Sequence, residues 1–379
     1  MRVAHVCTRF SRPSETFIYD LIVGLERVGT ENHVLTAARE NAAQRPFSRV
    51  RLLPISPWRR VAFGIRKYGL GVYRFPLPLR AARRDLQDIR PDVVLAHFGG
   101  TGAAVAPAAR ELGIPLAVVF HAFDLFMRQF QPRTYAALWS SEARVVAVSE
   151  HGKRRLLDLG CPPERVRIIH CGVDLSRFKP AHQRPAGAHG LRLVSIGRLV
   201  EKKGMDDLLH ALAAMRSRVR EPIRLDIWGD GPLRRSLQRL AVRLGLQGVV
   251  AFRGAASNGD VPEILGGCDG FVLPSRTARN GDTEGIPITI LEAQAVGLPV
   301  VSTLHGGIPE ALPPANREWL AREGDVEDIS RKLVSLALRP ERWRDIGWRG
   351  REWVARHFSM RDEIAAYRRF LEETATLCP

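Results

Sequence analysis

Short apolar runs alternate with stretches of helical periodicity along the whole chain, and that alternation leaves few folds open to it. Residues 3–7, 93–96, 116–120, 145–148 and 166–169 in the first half are each too short and too apolar to be a surface helix. So are 191–196, 225–228, 249–253, 271–273 and 299–302 in the second. Strands separated by helices run parallel and are covered on both faces, so they read as continuous apolar runs. Helical periods fill the gaps, with Leu208, Leu209, Leu212 and Val219 on one face and Leu233, Leu237, Leu240, Ala241 and Leu244 on another. The expected fold class is α/β with parallel sheets. At 379 residues the chain suffices for two domains, and residues 180–190, rich in Pro, Gly, Ala and His, read as the crossing between similar halves that meet across a cleft.

Apolar residues at 45% and charged residues at 26% are the proportions of a soluble globular protein. The formal net charge of +17 is the outlier, and it draws in anionic partners over the last Debye lengths of approach. Nucleic acid, an anionic membrane surface and a phosphate-bearing substrate all qualify. Five cysteines without a C-x-x-C pair argue against a zinc site and a disulfide framework, and read as free thiols in a reducing compartment. No signal peptide follows Met1, and no run of about 18 apolar residues occurs to span a membrane. The protein is expected to be cytoplasmic, at most peripheral on the cytoplasmic face of the inner membrane. Residues 51–90 carry ten arginines and lysines against Asp85 and Asp88, with Trp58, Val61, Ile65, Tyr68 and Val72 forming an apolar stripe beside them. This is either a membrane-surface element or a core-packed helix with a solvated basic face, and Gly64, Gly69 and Gly71 weaken any long helix.

Chemistry concentrates in Glu284-Gly285-Ile286-Pro287-Ile288-Thr289-Ile290-Leu291-Glu292, which reads as a loop bearing a carboxylate and then a helix opened by Pro287, with Glu292 facing back toward the first turn. A helix start offers backbone N–H groups and a positive dipole end to an anion. Two glutamates beside it can grip hydroxyls, so a diphosphate joining two polyol groups fits, as in a nucleotide sugar. Gly197-Arg198-Leu199-Val200-Glu201-Lys202-Lys203-Gly204 follows a strand; its first glycine allows a tight turn, and Arg198 and Lys203 bring two cations toward the diphosphate. Backbone contacts are expected at Gly229 in Gly229-Asp230-Gly231-Pro232 and at Arg253 near the base pocket. In the first half His97 and His121 follow strands, at the carboxyl ends where a cleft would open. Ser14-Glu15-Thr16 lies after the first strand, with Ser14 as N-cap and Glu15 in the first turn; it is a cleft wall or an ordinary capped turn.

In this order, residues 198–204, Gly229-Asp230-Gly231-Pro232, Pro274-Ser275 and the pair Glu284 and Glu292 resemble the motif set of the retaining GT-B glycosyltransferases called family 4, over nearly the whole chain. Residues 277–283 and Ser14-Glu15-Thr16-Phe17 are similar to members that build bacterial exopolysaccharides. The resemblance implies two Rossmann-like parallel-sheet domains facing a central cleft: residues 1–178 on the acceptor side, 179–358 for the donor, and a helix in 359–379 crossing back onto the first. It implies that Glu292 holds the ribose hydroxyls and Glu284 those of the donor sugar. Arg198, Lys203 and the N–H groups around Ile288 and Thr289 would take the diphosphate, and Gly285, Ile286 and Pro287 would line the sugar pocket. His121 resembles the first-domain histidine that sits against the donor sugar, which makes His121 and Glu284 the catalytic candidates; Ser14, Glu15, Thr16 and His97 are acceptor-side candidates. One departure from the family pattern follows Gly306-Gly307-Ile308-Pro309-Glu310, where Pro313-Pro314-Ala315-Asn316 replaces a glycine-bearing turn.

The implied reaction moves a hexose from a UDP- or GDP-sugar to a glycan or lipid-linked acceptor, with retention and without a cofactor. No Asp-x-Asp occurs to hold a divalent ion, so fixed cations and a helix dipole are expected to stabilise the leaving group. The alternatives are a basic nucleic-acid-binding protein and a nucleotide-sugar isomerase of the same fold. Against the first, no nucleic-acid motif occurs and the basic residues are dispersed, so no nucleic-acid partner is expected.

Overall fold

The computed structural model describes residues 1–12, 15–53, 78–180 and 190–376. The chain folds as two units, Met1–His170 with Arg361–Pro379, and Cys171–Met360. The first contains β1 (Arg2–Cys7), β2 (Glu31–Thr36), β3 (Val50–Leu52), β4 (Val93–His97), β5 (Leu116–Phe120), β6 (Arg144–Ala147) and β7 (Val166–Ile168), ordered β3-β2-β1-β4-β5-β6-β7. The second contains β8 (Leu191–Ile196), β9 (Ile223–Trp228), β10 (Val250–Gly254), β11 (Gly270–Leu273), β12 (Val300–Thr303) and β13 (Leu320–Ala321), ordered β10-β9-β8-β11-β12-β13. Neighbouring strands are parallel in both sheets, as the sequence pattern requires. β4, β5, β11 and β12 are buried along their full length, hence their apolar sequences, broken only at the carboxyl ends by His97 in β4 and by Ser302 and Thr303 in β12.

Strand order reverses between β1 and β4 in one sheet and between β8 and β11 in the other. At such a switch point the crossovers leave toward opposite faces, and a crevice opens at the carboxyl ends of the strands. The loops leaving β8 and β11 are residues 197–204 and 274–287, so topology alone brings the cationic loop and the Glu284 loop to one place in the second unit.

β2, β3 and β13 were not expected. β2 opens on Glu31, Asn32 and His33, yet Asn32 is fully buried. Its amide donates to the carbonyls of Ile22 (3.3 Å) and Thr30 (3.0 Å) and to Glu26 (3.0 Å), which removes the cost of burying it. β3 and β13 are three and two residues long, too short to carry a pattern. The division between units falls at 170/171 rather than 178/179, because Val173 bridges to Ser359 and, with Phe178, is buried in the second core. The later boundary moves from 358 to 360. Where the prolines replace a glycine-bearing turn, Pro314–Trp319 form a 3-10 turn that feeds β13 directly.

The helix Met360–Ala375 packs on the first unit. Ile364 lies over Gly24, Arg368 donates to the Val28 carbonyl at 3.0 Å, and Glu373 pairs with Arg167 at 2.8 Å. Phe370 is fully buried, with the Arg144 and Arg167 guanidinium groups over its ring. Phe370→Ala is therefore expected to destabilise the first unit by about 3–5 kcal/mol in urea unfolding. A loss under about 1 kcal/mol would show that the helix contributes little there.

Trp58, Val61, Ile65, Tyr68 and Val72 lie outside the described residues. Within them, Arg51 is paired with Asp85 (3.3 Å) and Asp88 (3.1 Å), and Arg83 with Glu111 (3.0 Å), so part of the basic region is locally neutralised. Among the described residues, no helix is long and apolar enough to cross a membrane.

Candidate functional site

Glu284 is buried, at 6% exposure, on the loop between β11 and the helix Ile288–Val296. Lys203 Nζ lies 2.7 Å from its Oε1, Lys202 Nζ lies 3.7 Å from its Oε2, and the Ser275 hydroxyl donates to Oε1 at 3.3 Å. Burial alone would raise its pKa, but the field of Lys203 and Lys202 outweighs that and holds it at about 2. Glu284 is thus an ionised acceptor at every ordinary pH. Burial also pulls the Lys203 ammonium below the usual lysine range, against the opposing pull of Glu284.

Lys203 is therefore not the free cation expected from the sequence; it is bonded to Glu284. Lys202, to which the sequence reading gave no role, is buried too, and donates to Asp282 (3.0 Å) and to the Thr283 carbonyl (2.8 Å). Two ammonium groups and two carboxylates balance. Arg198 is exposed and, among the described residues, has no ion-pair partner, which leaves it as the uncompensated cation of this cluster.

The loop is fastened from several directions. Arg276 spans to Asp206 (2.8 Å) and Asp207 (2.6 Å), and its N–H donates to the Lys202 carbonyl at 2.8 Å. The Glu284 N–H donates to His305 Nε2 at 3.1 Å, and His305 Nδ1 meets Glu323 at 2.8 Å. Gly306 has φ of 54°, and a Cβ there would stand 2.3 Å from the Glu284 carbonyl oxygen, so only glycine lets the two loops close up. His305, Glu323, Lys202 and Asp282 escaped sequence reasoning. The only signals were a doubled lysine and a histidine directly before two glycines.

Pro287 is the N-cap of Ile288–Val296 and no side chain caps that helix, so the expected anion-ready start is present. Ile286 and Ile288 pack against the second core, and the Gly285 carbonyl accepts the Gly307 N–H at 3.0 Å. Thr283 Oγ1 and Thr289 Oγ1 are buried without a hydrogen-bond partner among the described residues, a costly state that a ligand would relieve. Glu292 is half-buried in the second turn. The Gly229 N–H and the Arg253 side chain are both engaged, and the backbone contact expected at Arg253 is untouched by that pairing. The Gly229 N–H is taken by the Gly254 carbonyl at 2.6 Å, and its φ of 142° lets it approach the Gly197 carbonyl; the Arg253 side chain pairs with Asp226 at 2.9 Å. Gly229 thus shapes the Gly197 loop instead of donating to a ligand.

In the first unit, His121 follows β5, with its ring centroid 4.5 Å from Phe17 and 4.8 Å from Phe98. Its Nε2 is buried with no partner among the described residues, and burial lowers its pKa to about 3, so the imidazole is neutral. Phe98 has φ of 73°, a strained left-handed value for a side chain this large. The buried Asp124 carboxylate holds the strained turn by accepting the N–H of Gly99 (2.5 Å) and of His121 (2.8 Å). His97 is 1% exposed and lies 3.2 Å from His5 Nδ1, while His5 Nε2 meets Asn32 Oδ1 at 3.0 Å. The Asn32 oxygen only accepts, so His5 carries its proton on Nε2 and accepts the His97 N–H on Nδ1. His97 is consequently an interior group and not the acceptor-side contact expected. Ser14 lies outside the described residues. Thr16 opens the helix and Glu15 takes the cap position, not the first turn, with its carboxylate 3.0 Å from Arg12.

Among the described residues no three His, Cys, Asp or Glu side chains gather as metal ligands. The family model for Glycosyltransferase Family 4 matches residues 14–177, and that for Glycosyl transferases group 1 matches residues 183–353. WcaL of Escherichia coli, a glycosyltransferase named for colanic acid biosynthesis, is 30% identical over 396 residues, covering 95% of this chain and 96% of WcaL. The amylovoran biosynthesis glycosyltransferase AmsK of Erwinia amylovora is 32% identical over 289 residues, covering 75% and 70%. Among solved structures, Anabaena HepE in complex with UDP aligns over 98% of this chain and 100% of its own, with a TM-score of 0.79 at 18% identity, a likeness of fold.

Proposed function

Because the chain belongs to the family 4 glycosyltransferases of the exopolysaccharide-building kind, we propose that it moves a hexose from a UDP- or GDP-linked donor to a glycan or lipid-linked acceptor with retention at the anomeric carbon. The observation that carries this reading is the buried ionised Glu284, matched to Lys202 and Lys203, four residues before an uncapped helix start. Glu284 accepts hydrogen bonds from the sugar hydroxyls, and Glu292 accepts those of the ribose. Arg198 and the first N–H groups of Ile288–Val296 take the charge that grows on the leaving diphosphate, and Lys203, paired with Glu284, adds its field to theirs, so that this step can proceed without a divalent ion. The neutral His121 offers its unsatisfied ring nitrogen to a substrate hydroxyl. The acceptor oxygen then bonds the anomeric carbon on the face from which the diphosphate departs, and its proton passes to the departing phosphate oxygen. A lipid-linked acceptor would bring the enzyme to the cytoplasmic face of the inner membrane, where +17 suits an anionic surface.

A thermal-shift panel of UDP, GDP, ADP and their sugars tests this, since a ligand at about 100 times its Kd stabilises by about 2.7 kcal/mol. One nucleotide series should raise the melting temperature, and Glu292→Ala should abolish the shift. Nucleotide binding unaffected by Glu292→Ala would overturn the site assignment, and product with inverted anomeric configuration by NMR would overturn the retaining mechanism. An epimerised donor formed without acceptor would favour the isomerase.

A further inference from the structure

Glu323 follows β13 and grips the loop 274–287 at two points seven residues apart. Its Oε1 accepts the Thr277 N–H at 2.6 Å, and its Oε2 lies 2.8 Å from His305 Nδ1, whose ring carries the contact on to the Glu284 N–H at 3.1 Å. A backbone N–H only donates, so His305 Nε2 is the bare nitrogen and Nδ1 holds the proton that Glu323 accepts. The imidazole is 3% exposed and acts as a rigid spacer between a carboxylate and a main-chain amide. Glu323 is itself held below the usual carboxylate range: burial raises it, and the Thr277 N–H and His305 more than offset that.

We infer that Glu323 and His305 are positioning residues for the donor sugar. They fix the main chain at Glu284, and so the direction of its carboxylate, without touching substrate themselves. This rests on the reading of Glu284 as the sugar-holding group. Arg198, Glu292 and the start of Ile288–Val296 are not fastened by the pair, so the nucleoside diphosphate half of the donor should not depend on it. An error of about 1 Å at a group that must meet a reacting sugar costs about 100-fold in rate.

The test compares His305→Leu, His305→Gln and Glu323→Ala in the full chain, titrated calorimetrically with UDP, UDP-glucose, GDP and GDP-mannose. In His305→Leu and Glu323→Ala the bare nucleotide should bind within about twofold of wild type, its sugar conjugate about tenfold more weakly, and transfer should slow by about 100-fold. His305→Gln, with an amide oxygen for the Glu284 N–H and an amide N–H for Glu323, should recover most of the loss. An unchanged gain in affinity from the sugar in His305→Leu overturns the inference, as does equal loss of bare-nucleotide binding. Wild type that binds none of the four probes overturns the donor reading instead. Should His305→Leu not fold, nitrogen-15 NMR of wild type decides: the inference requires a protonated Nδ1 and a bare Nε2 on His305, and the opposite tautomer refutes it.

Discussion

Glu284→Ala should lower kcat/KM for the sugar nucleotide by about 10²–10³ while leaving binding of the bare nucleoside diphosphate intact or tighter. Two consequences of one geometry produce that split. The sugar loses its ionised acceptor, and Lys203, which has no other ion-pair partner among the described residues, is left as a buried ammonium. Lys202 keeps Asp282 and the Thr283 carbonyl. Stranding one partner of a buried pair costs about 3–5 kcal/mol, so the second unit should melt earlier. An arriving diphosphate supplies the missing anion, and the stabilisation it gives should therefore be larger in the variant than in wild type. Glu284→Gln separates charge from shape, since it can still meet a hydroxyl. Steady-state kinetics with melting curves in the presence and absence of nucleotide decide the matter. Loss of nucleotide binding together with transfer would mean that Glu284 serves the whole donor, and wild-type turnover would mean that it does not hold the sugar.

The features that announced themselves in the sequence are those written into contiguous residues. Apart from β2, β3 and β13, the strands of both sheets were legible because burial writes an apolar run into contiguous residues, and Ile288–Val296 because Pro287 and Gly297 punctuate it. β2 was hidden because it opens on three polar residues, and the burial of Asn32 rests on contacts that no pattern writes: His5 in β1, Ile22 and Glu26 in the preceding helix, and the Thr30 carbonyl. The site divides in the same way. Glu284, Arg198 and Lys203 could be named by type and spacing. The pairing of Lys203 with Glu284 could not, nor could the clamp from Glu323 through His305, because these contacts join the loops that follow β8, β11, β12 and β13. His5 left a trace that could have been read: a polar residue inside the apolar run Val3-Ala4-His5-Val6-Cys7 must have a buried partner.

That buried partner makes the first unit sensitive to acid. From pH 7.5 to pH 5 its stability should fall by about 2 kcal/mol or more. Burial lowers the His5 pKa to about 4 and that of His97 well below the usual value, and His121 moves the same way. A depressed histidine gives stability that is present above its unfolded pKa near 6.5 and is lost as pH falls toward the folded value, because the unfolded chain binds the proton first. A histidine still neutral in the fold at pH 5 therefore costs about 2 kcal/mol there. Asp124 acts with the opposite sign. Burial raises it to about 7, so its contribution is complete below its unfolded pKa and disappears as pH rises through 7. Over this window it returns about 2.5 kcal/mol, against about 2 kcal/mol from each of His5 and His121, with His97 adding to the loss. Urea unfolding at pH 7.5, 6 and 5 measures the balance, and His97→Gln, which keeps a hydrogen-bonding group but removes one titration, should flatten the curve by about one proton. A midpoint unchanged between pH 7.5 and 5 even in Asp124→Asn, where the compensating titration is gone, would mean that these rings take up protons inside the fold. The chain Asn32–His5–His97 would then have room for a charge that its hydrogen bonds, as arranged, do not accommodate.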